Sequence, residues 1–271
     1  MCIGCVFSCA EDSTRLITAS GDQTVRLWDV ESGQQQHKFE YRQPCRCVTF
    51  SLGEKYAIVS LDPFMGSASS VDMLRIAEDP AEQTSEVVRT FSGHSGRVTR
   101  CVFGPCNKTI LTVGEDGCIR QTDTETGALL KLVEAHERPI GDLKISKDGT
   151  CFITASQDKF AKLWDIDTLE CLKEYNTERP VNACDISPLM DHVLVGGGQE
   201  ASQVTLTGSR AGKFESKFYH KIFCDELGAV KGHFGPVNAV AYHPDGRSFA
   251  SGGEDGYVRV HHMDADYFAL K

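Results

Sequence analysis

At 271 residues, with 41% hydrophobic and 24% charged side chains, the chain has the make-up of an ordinary globular protein of one large or two average domains. Its net charge of −10 argues against a domain that coats nucleic acid, because phosphate binding needs a cationic surface. No stretch approaches the roughly 18 apolar residues that cross a bilayer. No basic segment followed by an apolar core opens the chain, so the default expectation is a cytoplasmic protein without a secretory leader.

In chain order, residues 1–9, MCIGCVFSC, set Cys2, Cys5 and Cys9 in a C-x₂-C-x₃-C run, a spacing that metal and redox sites use. TASGDQTVRLWD (18–29) follows: a hydroxyl residue, an Asp four residues on, and an alternating apolar run. Alternation is the strand signal, and the polar pair between the apolar runs is a tight-turn signal. PCRCVTFSLGEKYAIVSLD (44–62) is a degenerate copy. Residues 63–90 then break the pattern with FMGSASS and the acidic AEDPAEQTSE, which read as a solvated inter-strand loop.

TVGEDGCIRQTD (112–123) and TASQDKFAKLWD (154–165) restore the unit, PVNACDISPLMDHVLVGGG (180–198) degrades it again, and SGGEDGYVRVHH (251–262) closes the series. Asp116 and Asp158 lie 42 residues apart, while Asp22–Asp116 and Asp158–Asp255 span 94 and 97 residues, about two periods each. A period of this length built from four short strands is that of WD40 β-propeller blades. The GH and WD markers are Gly93-His94, Gly232-His233, Trp28-Asp29 and Trp164-Asp165. The expected fold is therefore all-β, a single propeller over residues 1–271, with six blade units marked by Asp22, Asp62, Asp116, Asp158, Gly198 and Asp255.

This reading explains the cysteine run. Cys5, Val48, Cys101, Leu143, Cys184 and Val240 are aligned at one core place of each first strand, and interchange with Val and Leu marks Cys5 as a packing residue rather than a metal ligand. Twelve scattered cysteines fall well below the roughly 8–10% of a disulfide scaffold, so most are expected as free, buried thiols. A His stands 22 residues before Asp116, Asp158 and Asp255, and for Asp22 that place falls before residue 1. Only nine residues follow His262. The expectation is a seven-bladed ring without its first blade, since closure by pairing of the two termini is how such rings avoid an open sheet edge.

Thr154, His136 and Asp158 imitate a hydroxyl–imidazole–carboxylate triad. The set recurs as Thr112–His94–Asp116 and Ser251–His233–Asp255, and an enzyme has no use for its triad in successive modules. The expected role is structural: a tetrad completed by Trp164, with Thr18, Asp22 and Trp28 as the partial set of the first unit, and weaker networks where Thr122 and His261 replace the Trp. Gly196-Gly197-Gly198 lacks a following helix, GSRAGKF (208–214) lacks the spacing and hydroxyl of a phosphate loop, and neither HExxH nor GxSxG occurs. His261 and His262 alternate across a strand and so cannot chelate from one face. No enzymatic activity, cofactor, metal, small-molecule substrate or membrane partner is expected. Residues 208–223, GSRAGKFESKFYHKIF, mix Arg210, Lys213, Lys217 and Lys221 with aromatics as RNA-stacking surfaces do, but read better as an amphipathic hairpin, with no direct nucleic-acid site.

Beyond the repeat, TERPVNACDISP (177–188), VLVGGGQEASQVT (193–205), GKFESKFYHKIF (212–223), KGHFGPVNAVAYHPDG (231–246) and GGEDGYVRVHHMDADYF (252–268) are similar to the WD-repeat i-subunit family of eukaryotic translation initiation factor 3, also known as the receptor-interacting propeller family of TGF-β signalling. The resemblance spans residues 1–271 and is densest from about residue 150 onward. It implies a non-catalytic scaffold that docks with the b and g subunits of that factor, joins the 40S preinitiation complex and supports messenger RNA recruitment and scanning. A signalling adaptor associated with a receptor kinase is the alternative that the same resemblance carries. The partner-contact residues are not assigned by it.

Overall fold

Every apolar alternation becomes a short antiparallel strand, because one face of each pleated sheet has to be covered by a neighbour. The computed structural model describes the backbone of residues 6–9 and residues 14–198 and 214–269. Cys2 and Cys5 lie outside the described residues, as does GSRAGKF apart from Phe214. The chain divides into two compact units, Met1–Ala135 and His136–Lys271.

The first unit holds three four-stranded sheets, each in simple up-and-down order. The first comprises β1 (Val6–Cys9), β2 (Arg15–Ser20), β3 (Thr24–Asp29) and β4 (Gln35–Glu40). The second comprises β5 (Cys45–Phe50), β6 (Tyr56–Leu61), β7 (Ser70–Arg75) and β8 (Val87–Ser92), and the third β9 (Val98–Phe103), β10 (Thr109–Gly114), β11 (Cys118–Asp123) and β12 (Leu129–Glu134). The second unit holds β13 (Ile140–Ile145) to β16 (Cys171–Asn176), with β14 (Cys151–Ser156) and β15 (Phe160–Asp165) between them. It continues with β17 (Val181–Ile186), β18 (His192–Gly197), β19 (Glu215–His220) and β20 (Glu226–Lys231), then the three-stranded β21 (Val237–Tyr242), β22 (Ser248–Gly253) and β23 (Val258–His262).

Within each unit the sheets pack face to face. Ile17, Ala19, Val25 and Leu27 of the first sheet meet Val48, Ala57, Val59 and Leu74 of the second. Ile58, Val71 and Met73 then meet Val98, Cys101 and Ile110 of the third. In the second unit, Ile153, Ala155 and Leu163 meet Cys184, Val193 and Tyr219, and Ala183, Leu194 and Phe218 meet Val237, Val240 and Phe249. Gly196 makes one such close approach possible: a Cβ there would stand 2.8 Å from Val240 Cγ1 and 2.9 Å from Val237 Cγ1 of the next sheet. The GGG stretch thus serves packing and turn geometry, with Gly198 at φ +142.

Three expectations are corrected. The register pairs Phe7 with Thr18, just as Cys101 pairs with Thr112 and Leu143 with Thr154, so Phe7 and not Cys5 occupies the aligned place. A count along the chain thus displaced the alignment by two residues. Residues 63–90 are not one loop: they contain β7, whose Val71, Met73 and Leu74 are buried, and the start of β8. Asp62 and Gly198 are not equivalents of the tetrad Asp. Their amides bond the Pro44 and Pro180 carbonyls, as those of Glu115, Gln157 and Glu254 bond Arg97, Pro139 and Pro236, which sets them one place before it. His261, read as standing in the Trp place, takes part in the hydrogen bonding there, as described below.

Of the stretch 208–223, read as a hairpin, the described part holds the single strand β19, with Phe218 and Tyr219 in the core, and its partner β20 lies beyond the stretch. Cys45, Cys47, Cys101, Cys151 and Cys184 are buried free thiols.

Candidate functional site

The three repeated His–Asp–hydroxyl sets are brought together in space, each within one sheet. In the fullest set, His136 Nδ1 lies 2.7 Å from Asp158 Oδ2 and Nε2 lies 2.8 Å from Thr154 Oγ1, while Trp164 Nε1 lies 2.9 Å from the same Oγ1. A carboxylate only accepts, so Nδ1–H donates to Asp158 and leaves Nε2 as an acceptor. The Thr154 hydroxyl then donates to Nε2 and accepts the indole N–H. Each polar side-chain atom that links these four residues finds its partner, which is what its burial demands.

His94 repeats the geometry, with Nδ1 3.0 Å from Asp116 Oδ2 and Nε2 2.8 Å from Thr112 Oγ1, but Thr122 stands where the indole would be. His233 lies 3.0 Å from Asp255 Oδ1 and 2.8 Å from Ser251 Oγ. Here His261 supplies the fourth member: its Nε2 is 3.2 Å from Ser251 Oγ and its ring stacks on Phe249 at 4.5 Å, as Trp164 stacks on Phe152. An imidazole N–H thus does the work of the indole N–H. In the first sheet Trp28 Nε1 donates to Thr18 Oγ1 at 3.0 Å, while the exposed Asp22 caps Thr24. The β5–β8 and β17–β20 sheets have Val59 and Val195 at the hydroxyl place and Leu74 and Tyr219 at the Trp place, so their core there is apolar.

Burial pushes the His94 and His136 imidazoles below their ordinary range, against the pull of Asp116 and Asp158. Burial resists ionisation of Asp116 and Asp255 too. There, His94 with the Cys118 and Ser95 amides, and His233 with the Phe234 and Tyr257 amides and Arg259, outweigh it and hold both carboxyls below the usual range. In the His94 set a neutral imidazole therefore sits on a carboxylate. Sequence reading missed a recurrent fifth member: Arg26, Arg120 and Arg259 stand four residues after Asp22, Asp116 and Asp255, at 3.2, 3.7 and 3.1 Å. A basic residue at Asp+4, including Lys162, was the legible signal.

The hydroxyls are shut away. Thr154, Ser251 and Thr112 are 0%, 1% and 5% exposed. Outside the tetrads, Asp62 takes both Arg46 Nε and Nη2, at 2.8 and 2.6 Å, a two-pronged pair beside Arg97. The β17–β20 sheet, which lacks a tetrad, holds a cavity of about 270 Å³ rimmed by charges of both signs from Glu178, Arg179, Glu215, Lys217 and Glu226. Among the described residues no cluster of His, Cys, Asp and Glu has the geometry of a metal site, and no helix is long and apolar enough to cross a membrane.

A family model described as EIF3I matches residues 3–271. The eukaryotic translation initiation factor 3 subunit I of Bombyx mori is 44% identical over 265 residues, which cover 94% of this chain and 78% of that protein. The subunit I of Homo sapiens is 42% identical over 260 residues, covering 96% of this chain and 80% of its own length. That of Nematostella vectensis is 43% identical over 256 residues. Agreement of this kind along nearly the whole chain, on strands whose register repeats from sheet to sheet, places the chain in the eukaryotic translation initiation factor 3 subunit I family.

Proposed function

We propose that the chain acts as a non-catalytic scaffold subunit of eukaryotic translation initiation factor 3, in contact with the other subunits of that complex. Family membership over residues 3–271 is the observation that carries this reading. The finer assignment names the b and g subunits and the 40S preinitiation complex as the assembly it joins in the cytoplasm, with messenger RNA recruitment and scanning as the process it supports. The six sheets are read as blades of a WD40 β-propeller, on the strength of their shared register and the tetrads.

The physical chemistry of the sets that imitate an active site supports the non-catalytic role. A nucleophile needs an open approach for its substrate, and a base needs a proton to take from it. Thr154 and Ser251 are sealed, and each imidazole spends both nitrogens on internal bonds. Such networks fasten the loops before the β9–β12, β13–β16 and β21–β23 sheets to those sheets.

Affinity purification from native cytoplasm, read by mass spectrometry, tests the reading. Co-elution of the b and g subunits with 40S proteins is expected. Recovery of receptor kinases without initiation-factor subunits, or of chaperones alone, would overturn it.

A further inference from the structure

The second and third sheets, both within the first unit, bury two cysteines against each other. Cys47 stands on β5 and Cys101 on β9, and both are core residues of the contact between those sheets, 2% and 0% exposed. Cys47 Sγ lies 3.9 Å from the Cys101 carbonyl oxygen, so its side chain points across the contact at the facing cysteine. Thr49 Oγ1, two residues on, donates to the same carbonyl at 2.9 Å and holds the two strands together there. Ser60 of β6 ties in from a third strand: its Oγ accepts the Cys47 amide at 3.0 Å, and its backbone lies within hydrogen-bonding reach of the Cys101 sulfur. The two thiols hydrogen-bond each other.

The pair is polarised. The hydrogen bond from Cys101, with the Arg100 charge, outweighs burial and holds the Cys47 thiol below the ordinary thiol range. The same bond and burial push Cys101 well above it. Cys45, two residues earlier on the strand, is instead pushed up to about 12 by burial and by Asp22, Asp72 and Asp62. Because the thiolate is the reactive form of a cysteine, Cys47 is the attacking sulfur and Cys101 the one that resolves it.

We propose that Cys47 and Cys101 are a redox pair, which a hydroperoxide converts to a disulfide that staples the second sheet to the third. The Cys47 thiolate attacks an oxygen of hydrogen peroxide and the O–O bond breaks. The other oxygen leaves as water with the proton that the thiol gave up, and a sulfenic acid remains on Cys47. The Cys101 sulfur attacks the Cys47 sulfur, the S–O bond breaks, and the hydroxyl leaves with the Cys101 proton as a second water. The two thiols thus lose two electrons and two protons, which reduce the peroxide to two waters. Local opening of the sheet contact admits the peroxide, so the pair reacts more slowly than the exposed Cys106 and Cys171. Once Cys47 has reacted, its neighbour closes the disulfide before further oxidation.

Mass spectrometry of the full chain carrying Cys106→Ser tests this. The folded protein is treated with hydrogen peroxide, quenched, alkylated in urea and digested with trypsin without reduction. Trypsin places Cys47 on residues 47–55, Cys101 on residues 101–108 and Cys45 on a separate peptide. One dominant linked pair, 47–55 with 101–108, is expected, and dithiothreitol is expected to release it. Oxidation in denaturing urea is expected to scatter the links over other cysteines, and Cys101→Ser to abolish the pair and leave Cys47 as a sulfenic or sulfinic acid. If either serine variant melts early, fragment ions of the unsubstituted chain assign the link to Cys101 or to Cys106. Recovery of Cys47 and Cys101 as alkylated thiols after prolonged exposure that has fully oxidised Cys171 would overturn the proposal. Links as scattered in the folded chain as in urea would overturn it too.

Discussion

Thr154→Val tests the energetics of the tetrad. Valine matches threonine in shape, so the substitution removes one hydroxyl and leaves the packing. That hydroxyl satisfies two otherwise isolated groups, His136 Nε2 at 2.8 Å and the Trp164 indole N–H at 2.9 Å, and both rings are buried. Each orphaned buried polar group costs about 1–3 kcal/mol, so the pair together predicts a loss of about 2–6 kcal/mol. Thr18→Val is the internal control. It orphans only the half-buried Trp28 N–H, which water reaches, and is expected to cost about 1 kcal/mol or less. Urea unfolding followed by circular dichroism gives both values from the shift in midpoint at constant slope. The β17–β20 sheet shows why the cost belongs to the orphans and not to the valine: it carries Val195 at the same place, but Tyr219 in place of the indole, so no indole N–H is stranded there. If Thr154→Val costs under about 0.5 kcal/mol, or no more than Thr18→Val, the hydrogen-bond reasoning fails.

Two further outcomes are expected. His94 and His136 are held below the ordinary histidine range of about 6.5, so between that value and their folded values the unfolded chain binds more protons than the native one. Their contribution is complete above about pH 6.5 and declines on acidification; a melting midpoint that stays flat or rises from pH 7 to 5 contradicts this. Asp185 works in the opposite sense, since burial pushes it up to about 6, and Asp185→Asn is expected to steepen the acid loss. Gly197→Ala, whose Cβ would meet the Pro180 carbonyl at 2.2 Å, is expected to cost about 1–3 kcal/mol. Gly228→Ala, with nothing within 4 Å of its Cβ, is expected to be neutral or slightly stabilising; equal thermal midpoints for the two variants would refute the packing account.

The repeat, the strand-turn-strand units and three of the tetrads were legible in the linear chain because each is a matter of fixed spacing. Thr154 and Trp164 lie on neighbouring strands of one sheet, with Asp158 in the turn between them and His136 in the loop before the sheet, and the hairpin register carries their separation into space. The family was legible for the same reason, since GGGQEA and its neighbours are contiguous words. What depends on which residue faces which needed the tertiary structure. The place given to Cys5 belongs to Phe7, because a backbone register and not a count along the chain decides pairing. Ser251 reaches His261 because the β22–β23 hairpin brings His261 opposite Phe249, a fact no rule about tryptophan contains. β7 was hidden inside a polar stretch, since its Val71 and Met73 mark a strand only once another sheet covers them. Burial is a property of what lies across from a residue, which spacing along the chain does not encode.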